Sequence, residues 1–123
     1  MAKVLIVDDE RLILKSYIRL LGKIMPKNDI FTAESGEEAL KKIPELNPGI
    51  IISDHRMPGM EGYDFLEKVK ELYPAIKTVL MSGTEHYLYG KNVGKVADAF
   101  TTKPLDEGEL EDIVRVFSGL ETQ

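Results

Sequence analysis

The chain has 123 residues, no cysteine and a formal net charge of -5. That length suits one domain with a core of its own, and the missing cysteines exclude disulfides and thiolate metal sites. The acidic balance argues against direct nucleic-acid binding. No apolar stretch approaches a membrane span, and Met1-Ala2-Lys3-Val4 lacks a signal-peptide layout. A cytoplasmic domain covering residues 1–123 is expected, with no membrane contact.

Taken in order, Val4 to Val7 is an apolar run that reads as a strand buried on both faces. From Glu10 to about Met25, Leu14, Tyr17, Ile18 and Leu21 fall on one helical face, and Pro26 stops the pattern. Ile30 to Ala33 reads as a second strand. Ser35 and Glu38 have capping-box spacing, opening a helix with Ala39, Leu40 and Ile43 inward. Asn47-Pro48-Gly49 turns the chain into a third strand, Ile50 to Ser53. Beyond the loop from Met57 to Gly62, Phe65, Leu66, Val69 and Leu72 mark a helix that Pro74 ends. Ile76 to Met81 is the fourth strand.

Glu85 to Val96 suggests a fourth helix through Leu88, Val93 and Val96, weakened by Gly90 and Gly94. Ala99 to Thr102 reads as a fifth strand, and Asp106 begins a fifth helix with Leu110, Ile113, Val114 and Phe117 inward. Strands alternating with helices, the middle ones apolar throughout, predict an α/β fold: a parallel sheet covered on both faces. Ligand chemistry in such sheets gathers at the carboxyl ends of the strands. Asp8, Asp9, Asp54, Ser82 and Lys103 all fall just past strand ends.

Three carboxylates in one place repel, and the one cation of Lys103 does not balance them. A hard divalent ion does, and Mg²⁺ suits carboxylate oxygens combined with a phosphate. The combination Val7-Asp8-Asp9-Glu10, Ser53-Asp54-His55-Arg56-Met57-Pro58-Gly59-Met60, Met81-Ser82-Gly83 and Thr102-Lys103-Pro104 resembles a response-regulator receiver domain of two-component signalling. The resemblance runs over essentially the whole chain. It implies a doubly wound, flavodoxin-like (CheY-like) sheet of strand order 2-1-3-4-5 with five helices.

It also implies roles. Asp54 would accept a phosphoryl group from the phosphohistidine of a sensor histidine kinase or histidine phosphotransfer protein. Asp8 and Asp9 would hold Mg²⁺ together with Asp54 and the backbone carbonyl of Arg56. Lys103 would pair with a phosphoryl oxygen, from a loop fixed by Pro104 through a bond that is often cis. Ser82 would be the switch hydroxyl, with Gly83 leaving room for the phosphoryl group and Pro58 and Gly62 shaping the loop after Asp54. Phe100 would be the switch aromatic, or plain core packing in a buried strand, or both. The predicted fourth helix, fifth strand and fifth helix would form the readout face for a downstream effector.

Some positions depart from the family pattern. Ser82 stands where threonine is commoner, which keeps the hydroxyl but loses rotamer stiffness. Glu61 replaces a commoner Asp or Asn, which matters little if Gly62 makes the turn. Arg56 and Thr84 occupy positions that tune phosphoryl lifetime. Arg56 either covers the phosphoryl group and slows its hydrolysis, or points into solvent. His55 and His86 are placed for surface or packing roles rather than as metal ligands. Tyr87 and Tyr89 are either partner anchors or ordinary half-buried aromatics.

Two other functions compete with the phosphoacceptor switch. A Mg²⁺-dependent phosphatase of the aspartyl-phosphate type needs a second Asp two residues after its nucleophile, where this chain has Arg56 after Asp54 and Glu10 after Asp8. A degenerate receiver acting as a constitutive binding module would not retain the complete acid set. A stand-alone regulator and an N-terminal receiver of a longer protein both fit the length. A phosphorylation-dependent homodimer is a further possibility.

Overall fold

The computed structural model describes residues 2–83 and 90–118. Five strands, β1 (Val4–Val7), β2 (Ile30–Ala33), β3 (Ile50–Asp54), β4 (Lys77–Ser82) and β5 (Ala99–Thr102), form one sheet. Its order is β2-β1-β3-β4-β5, and every neighbouring pair is parallel. The described residues also form four α-helices: α1 (Arg11–Leu21), α2 (Gly36–Leu46), α3 (Gly62–Leu72) and α4 (Glu107–Ser118). This is the doubly wound arrangement expected. The fifth predicted helix appears here as α4. Of the predicted fourth helix, Val93–Lys95 forms a 3₁₀ turn, while Thr84, Glu85, His86, Tyr87, Leu88 and Tyr89 lie outside the described residues.

Period-two alternation divides each central strand between two cores. Leu5, Val7, Ile51 and Leu80 face α2 and α3, packing with Ala39, Ile43, Phe65, Leu66 and Val69. Val4, Ile6, Ile50, Ile52, Val79 and Met81 face α1 and α4, packing with Leu14, Tyr17, Leu21, Leu110 and Val114. β1 and β3 are buried at every position, so neither strand can take a polar residue until its last positions. Each of these aliphatic side chains contributes about 1.5–3 kcal/mol on burial, and the two-sided core is what fixes the register that places Asp54.

Several boundaries differ from expectation. α1 ends at Leu21 rather than near Met25, because Gly22 caps it and donates to the Ile18 carbonyl. Met25 still reaches the core from the following turn. β3 extends one residue to include Asp54, whose pairing partner is Met81. β4 likewise ends on Ser82 rather than Met81. Leu72, expected inward, is 60% exposed at the last position of α3, although it follows Phe65 and Val69 at helical spacing.

The predicted cap of α2 holds. Ser35 accepts from the Glu38 N–H, and the Glu38 carboxylate accepts from the Glu34 N–H. At the start of α4, Asp106 and Glu109 form a fully reciprocal pair, each backbone N–H donating to the other's carboxylate.

Candidate functional site

The sheet order reverses between β1 and β3, and at that point the carboxyl ends of both strands open into a crevice. Asp8 follows β1 directly and is fully buried. Its N–H donates to the Ala33 carbonyl at 3.1 Å, and its Oδ1 accepts from the Glu10 N–H at 2.9 Å. Asp9 turns outward and is exposed. Asp54 closes β3 and is 3% exposed. One carboxylate oxygen from each of Asp8, Asp9 and Asp54 lies within 4.8 Å of the others.

Lys103 enters this cluster from the turn after β5. Its Nζ lies 2.9 Å from Asp8 Oδ2, 3.1 Å from Asp54 Oδ2 and 3.7 Å from Glu10 Oε1. The Lys103 N–H donates to the Ser82 carbonyl at 3.0 Å, which ties the lysine turn to the end of β4, and the Lys103-Pro104 bond is cis. Ser82 is buried and lies one residue past the Met81 that pairs with Asp54.

Charge is out of balance in the pocket. Burial first, and the Asp8 carboxylate second, push Asp54 up to about 6, against the pull of Lys103. Burial draws Lys103 down, but its hydrogen bond to Asp8 and the charges of Asp54 and Asp8 outweigh burial and hold it above an ordinary lysine. Lys103 thus stays a cation while Asp54 sits near the edge of ionisation. A set of three carboxylates with too little positive charge, all oxygen donors, fits Mg²⁺.

The loop after Asp54 is shaped by contacts that reach back to it. Gly62 donates to the His55 carbonyl at 2.8 Å. A Cβ on Gly62 would stand 2.2 Å from the Asp54 carbonyl oxygen and 2.7 Å from the His55 Cα. The glycine is therefore required by close backbone approach at the start of α3, not by the turn that sequence reasoning assigned it. His55 is fully buried, and its Nδ1 accepts from the Tyr63 N–H at 3.2 Å; of its two expected roles, packing is the one observed. Pro58 and Arg56 are exposed. With Asp9, Met57 and Glu61 they line an open depression of about 360 Å³ beside the acids.

Phe100 is 36% exposed on β5, so in this state it is not the core residue of a buried strand. β5 is an edge strand of alternating exposure, which gives its aromatic ring access to solvent. A Cβ on Gly83 would meet nothing within 4 Å among the described residues beyond its chain neighbours. Thr84, His86, Tyr87 and Tyr89 fall outside the described residues.

Two residues near the pocket carried no site role in the sequence reading: Glu10, whose carboxylate faces Lys103, and Tyr17, whose hydroxyl accepts from the Leu105 N–H. Glu10 was legible only as a helix start. Tyr17 had one signal, a hydroxyl on an otherwise aliphatic inner face.

Comparison with known proteins places this geometry. The family model described as the response regulator receiver domain matches residues 4–115. Response regulator GacA of Pseudomonas syringae is 34% identical over 97% of the chain, which spans 56% of that protein. The uncharacterized transcriptional regulatory protein YesN of Bacillus subtilis is 32% identical over 93% of the chain, which spans 33% of it. The chain thus covers between a third and little over half of these relatives. Among solved structures, response regulator TrrA from Thermotoga maritima, in complex with Mg²⁺-BeF, superposes with a TM-score of 0.84 at 29% identity, covering 95% of this chain and 99% of that one. The acidic pocket at the sheet's topological switch point and the family match over residues 4–115 lead to one conclusion: the chain belongs to the response regulator receiver domains of two-component signalling.

Proposed function

We propose that this receiver takes a phosphoryl group onto Asp54 from a phosphohistidine of a sensor histidine kinase or histidine phosphotransfer protein. An Asp54 Oδ attacks phosphorus; the O–P bond forms as the P–N bond breaks, and the imidazole leaves with the electron pair and takes up a proton. The observation that carries this is Asp54 itself, a nearly buried carboxylate at a strand end, 3.1 Å from the Lys103 ammonium. Asp8, Asp9 and Asp54 with the Arg56 carbonyl would hold Mg²⁺, which supplies positive charge for the transferring phosphoryl oxygens. Lys103 binds another of those oxygens, and Asp8 keeps its ammonium oriented before the group arrives.

The domain is not a turnover enzyme on this reading. It promotes its own phosphorylation and slow dephosphorylation, and the phosphatase alternative is disfavoured because Arg56 stands where the second acid would be needed. Ser82 donates to the phosphoryl oxygen once it is present, and Phe100 turns inward in response, biasing β5, α4 and the segment before β5 between two arrangements. The exposed Phe100 supports such a movement. Arg56 and Thr84 set the lifetime of the acyl phosphate, and Arg56 lines the depression beside Asp9 from which water would approach. Pro58, Gly62, Gly83 and Pro104 shape the surrounding loops.

Residues 1–123 act as one receiver unit, and a downstream effector reads the switched face, with homodimerisation on phosphorylation as one form of output. No described helix is long and apolar enough to cross a membrane, which supports a cytoplasmic site of action. The acidic charge supports an output without direct nucleic-acid contact by this domain. Incubation with Mg²⁺ and a small acyl phosphate should add a phosphoryl mass that Asp54→Ala abolishes. Persistence of the label in Asp54→Ala would overturn the assignment, and multiple turnovers of a small phosphate ester would favour the phosphatase.

A further inference from the structure

Lys103 has to present its ammonium to the pocket from a short turn, so the main chain on both sides of it needs fixed points. On the β5 side, the Lys103 N–H donates to the Ser82 carbonyl. Pro104 has no N–H to contribute. The next donor is the Leu105 N–H, which points at a side chain on the opposite element: it donates to the Tyr17 hydroxyl oxygen at 3.4 Å. Tyr17 is 3% exposed and Leu105 is 3% exposed, and both belong to the core between the sheet, α1 and α4.

A buried tyrosine hydroxyl normally finds a polar partner. Here the partner lies 88 residues away in sequence, on the strand-to-helix connection that bears the pocket's cation. We propose that Tyr17 is a positioning residue for Lys103: its hydroxyl, by accepting the Leu105 N–H, anchors the turn from which the ammonium reaches Asp8 and Asp54. The inference rests on the reading above that Lys103 meets the transferred phosphoryl group.

Two observations support it. The turn is held to β4 on one side and α1 on the other, and α1 follows directly from the loop carrying Asp8 and Asp9. The tyrosine therefore ties the lysine turn to the element that positions the metal-binding acids. In addition, burial raises the Tyr17 hydroxyl above its ordinary value, partly offset by the Leu105 N–H, and the charges of Lys103, Asp8 and Asp54 all act on it. The hydroxyl is thus neutral and electrically within the site's neighbourhood, although it touches none of the reacting groups. Before phosphorylation Lys103 is held by carboxylates at its tip. Once Asp54 becomes an acyl phosphate, one of those holds changes, and the fixed base of the turn determines where the ammonium can go.

Tyr17→Phe keeps the ring and removes the acceptor. The rate of phosphorylation by a small acyl phosphate at saturating Mg²⁺ should fall roughly five- to tenfold, the scale of one buried hydrogen bond. Mg²⁺ affinity should stay within about twofold of wild type, because the acids are untouched. The same substitution in a Lys103→Ala background should change the rate little further, since the group it positions is gone.

An unchanged rate in Tyr17→Phe would overturn the proposal. So would equal losses of rate and Mg²⁺ affinity, which indicate general damage to the pocket, or full additivity with Lys103→Ala, which indicates a purely structural tyrosine. A wild-type protein that takes no phosphoryl group, or a Lys103→Ala variant as fast as wild type, would instead defeat the reading of the site on which the inference rests.

Discussion

The two ends of the sheet each hold an aspartate beside a lysine, one buried (Asp54) and one exposed (Asp98), and they behave oppositely. At the amino end of β4 and β5, Asp98 Oδ2 accepts from Lys70 Nζ at 2.7 Å and from the Thr78 N–H at 2.8 Å. Thr78 also donates its hydroxyl to the Val96 carbonyl at 2.7 Å. Burial pushes the Asp98 carboxyl upward, but the Lys70 ammonium and the Thr78 N–H overrule it and hold it below the usual carboxylate range. At the carboxyl end, burial first and the Asp8 carboxylate second raise the Asp54 carboxyl to about 6, against the pull of a lysine it shares with Asp8. One acid bonded to Lys70 and a backbone donor, with Lys77 nearby, is complete. Three acids with one cation are not, and such an imbalance marks a place built to receive something positive. The difference separates a clamp from a binding site without reference to any relative.

The largest expected effect that tests this contrast is on stability at the carboxyl end. A carboxyl whose folded pKa lies above its unfolded value costs nothing below about 3.9, costs progressively more as pH rises to about 6, and costs its full amount above that. In Asp54→Asn the cost disappears. Without Mg²⁺ at pH 8 the variant should be more stable than wild type by on the order of 2 kcal/mol, or roughly 5–10 °C in Tm. At pH 4 the two should melt nearly together. Equal melting at both pH values would show that the pocket is not strained by its charge.

Mg²⁺ should compete with the proton that Asp54 holds. Calorimetric or fluorescence titration should therefore give an affinity about tenfold weaker at pH 5 than at pH 7. A flat profile would remove Asp54 from the metal-binding set.

The clamp should give the complementary result. Its carboxyl is depressed in the folded state, so its contribution is present above the unfolded value and is lost as pH falls through the lower folded one. Asp98→Asn should destabilise the protein by about 1 kcal/mol at neutral pH and leave Mg²⁺ affinity unchanged. A loss of Mg²⁺ binding there would mean that the two ends of the sheet are coupled rather than independent.

The smallest effect belongs to Arg56. If it screens the acyl phosphate, Arg56→Asn should shorten the half-life of the phosphorylated protein a few-fold, equivalent to less than about 1 kcal/mol. An unchanged half-life in a gel or mass assay would leave Arg56 a surface residue.

The α/β alternation and the apolar β1 and β3 were legible because a strand buried on both faces has a composition no solvent-facing element can share. The capping pairs at Ser35–Glu38 and Asp106–Glu109 were local, with the Ser35 pair read directly from its spacing. Asp8, Asp9, Asp54, Ser82 and Lys103 could be listed as strand-end residues for the same reason: polarity appears where burial on both faces ends.

Tertiary structure decided what joins across the chain. That the Lys103 ammonium meets Asp8 and Asp54 depends on β1, β3 and β5 lying in one sheet. That Gly62 has no room for a side chain depends on how α3 returns against the backbone of Asp54 and His55. Phe100 is exposed on the edge strand β5, and its strand-like sequence does not tell that environment from a buried one. The Asp98 clamp and the Tyr17–Leu105 hydrogen bond link residues far apart in sequence, where no periodicity or spacing carries a signal. Sequence determined which chemistry was available at the strand ends; only the packed sheet decided which charges go unbalanced, because pairing depends on distance in space.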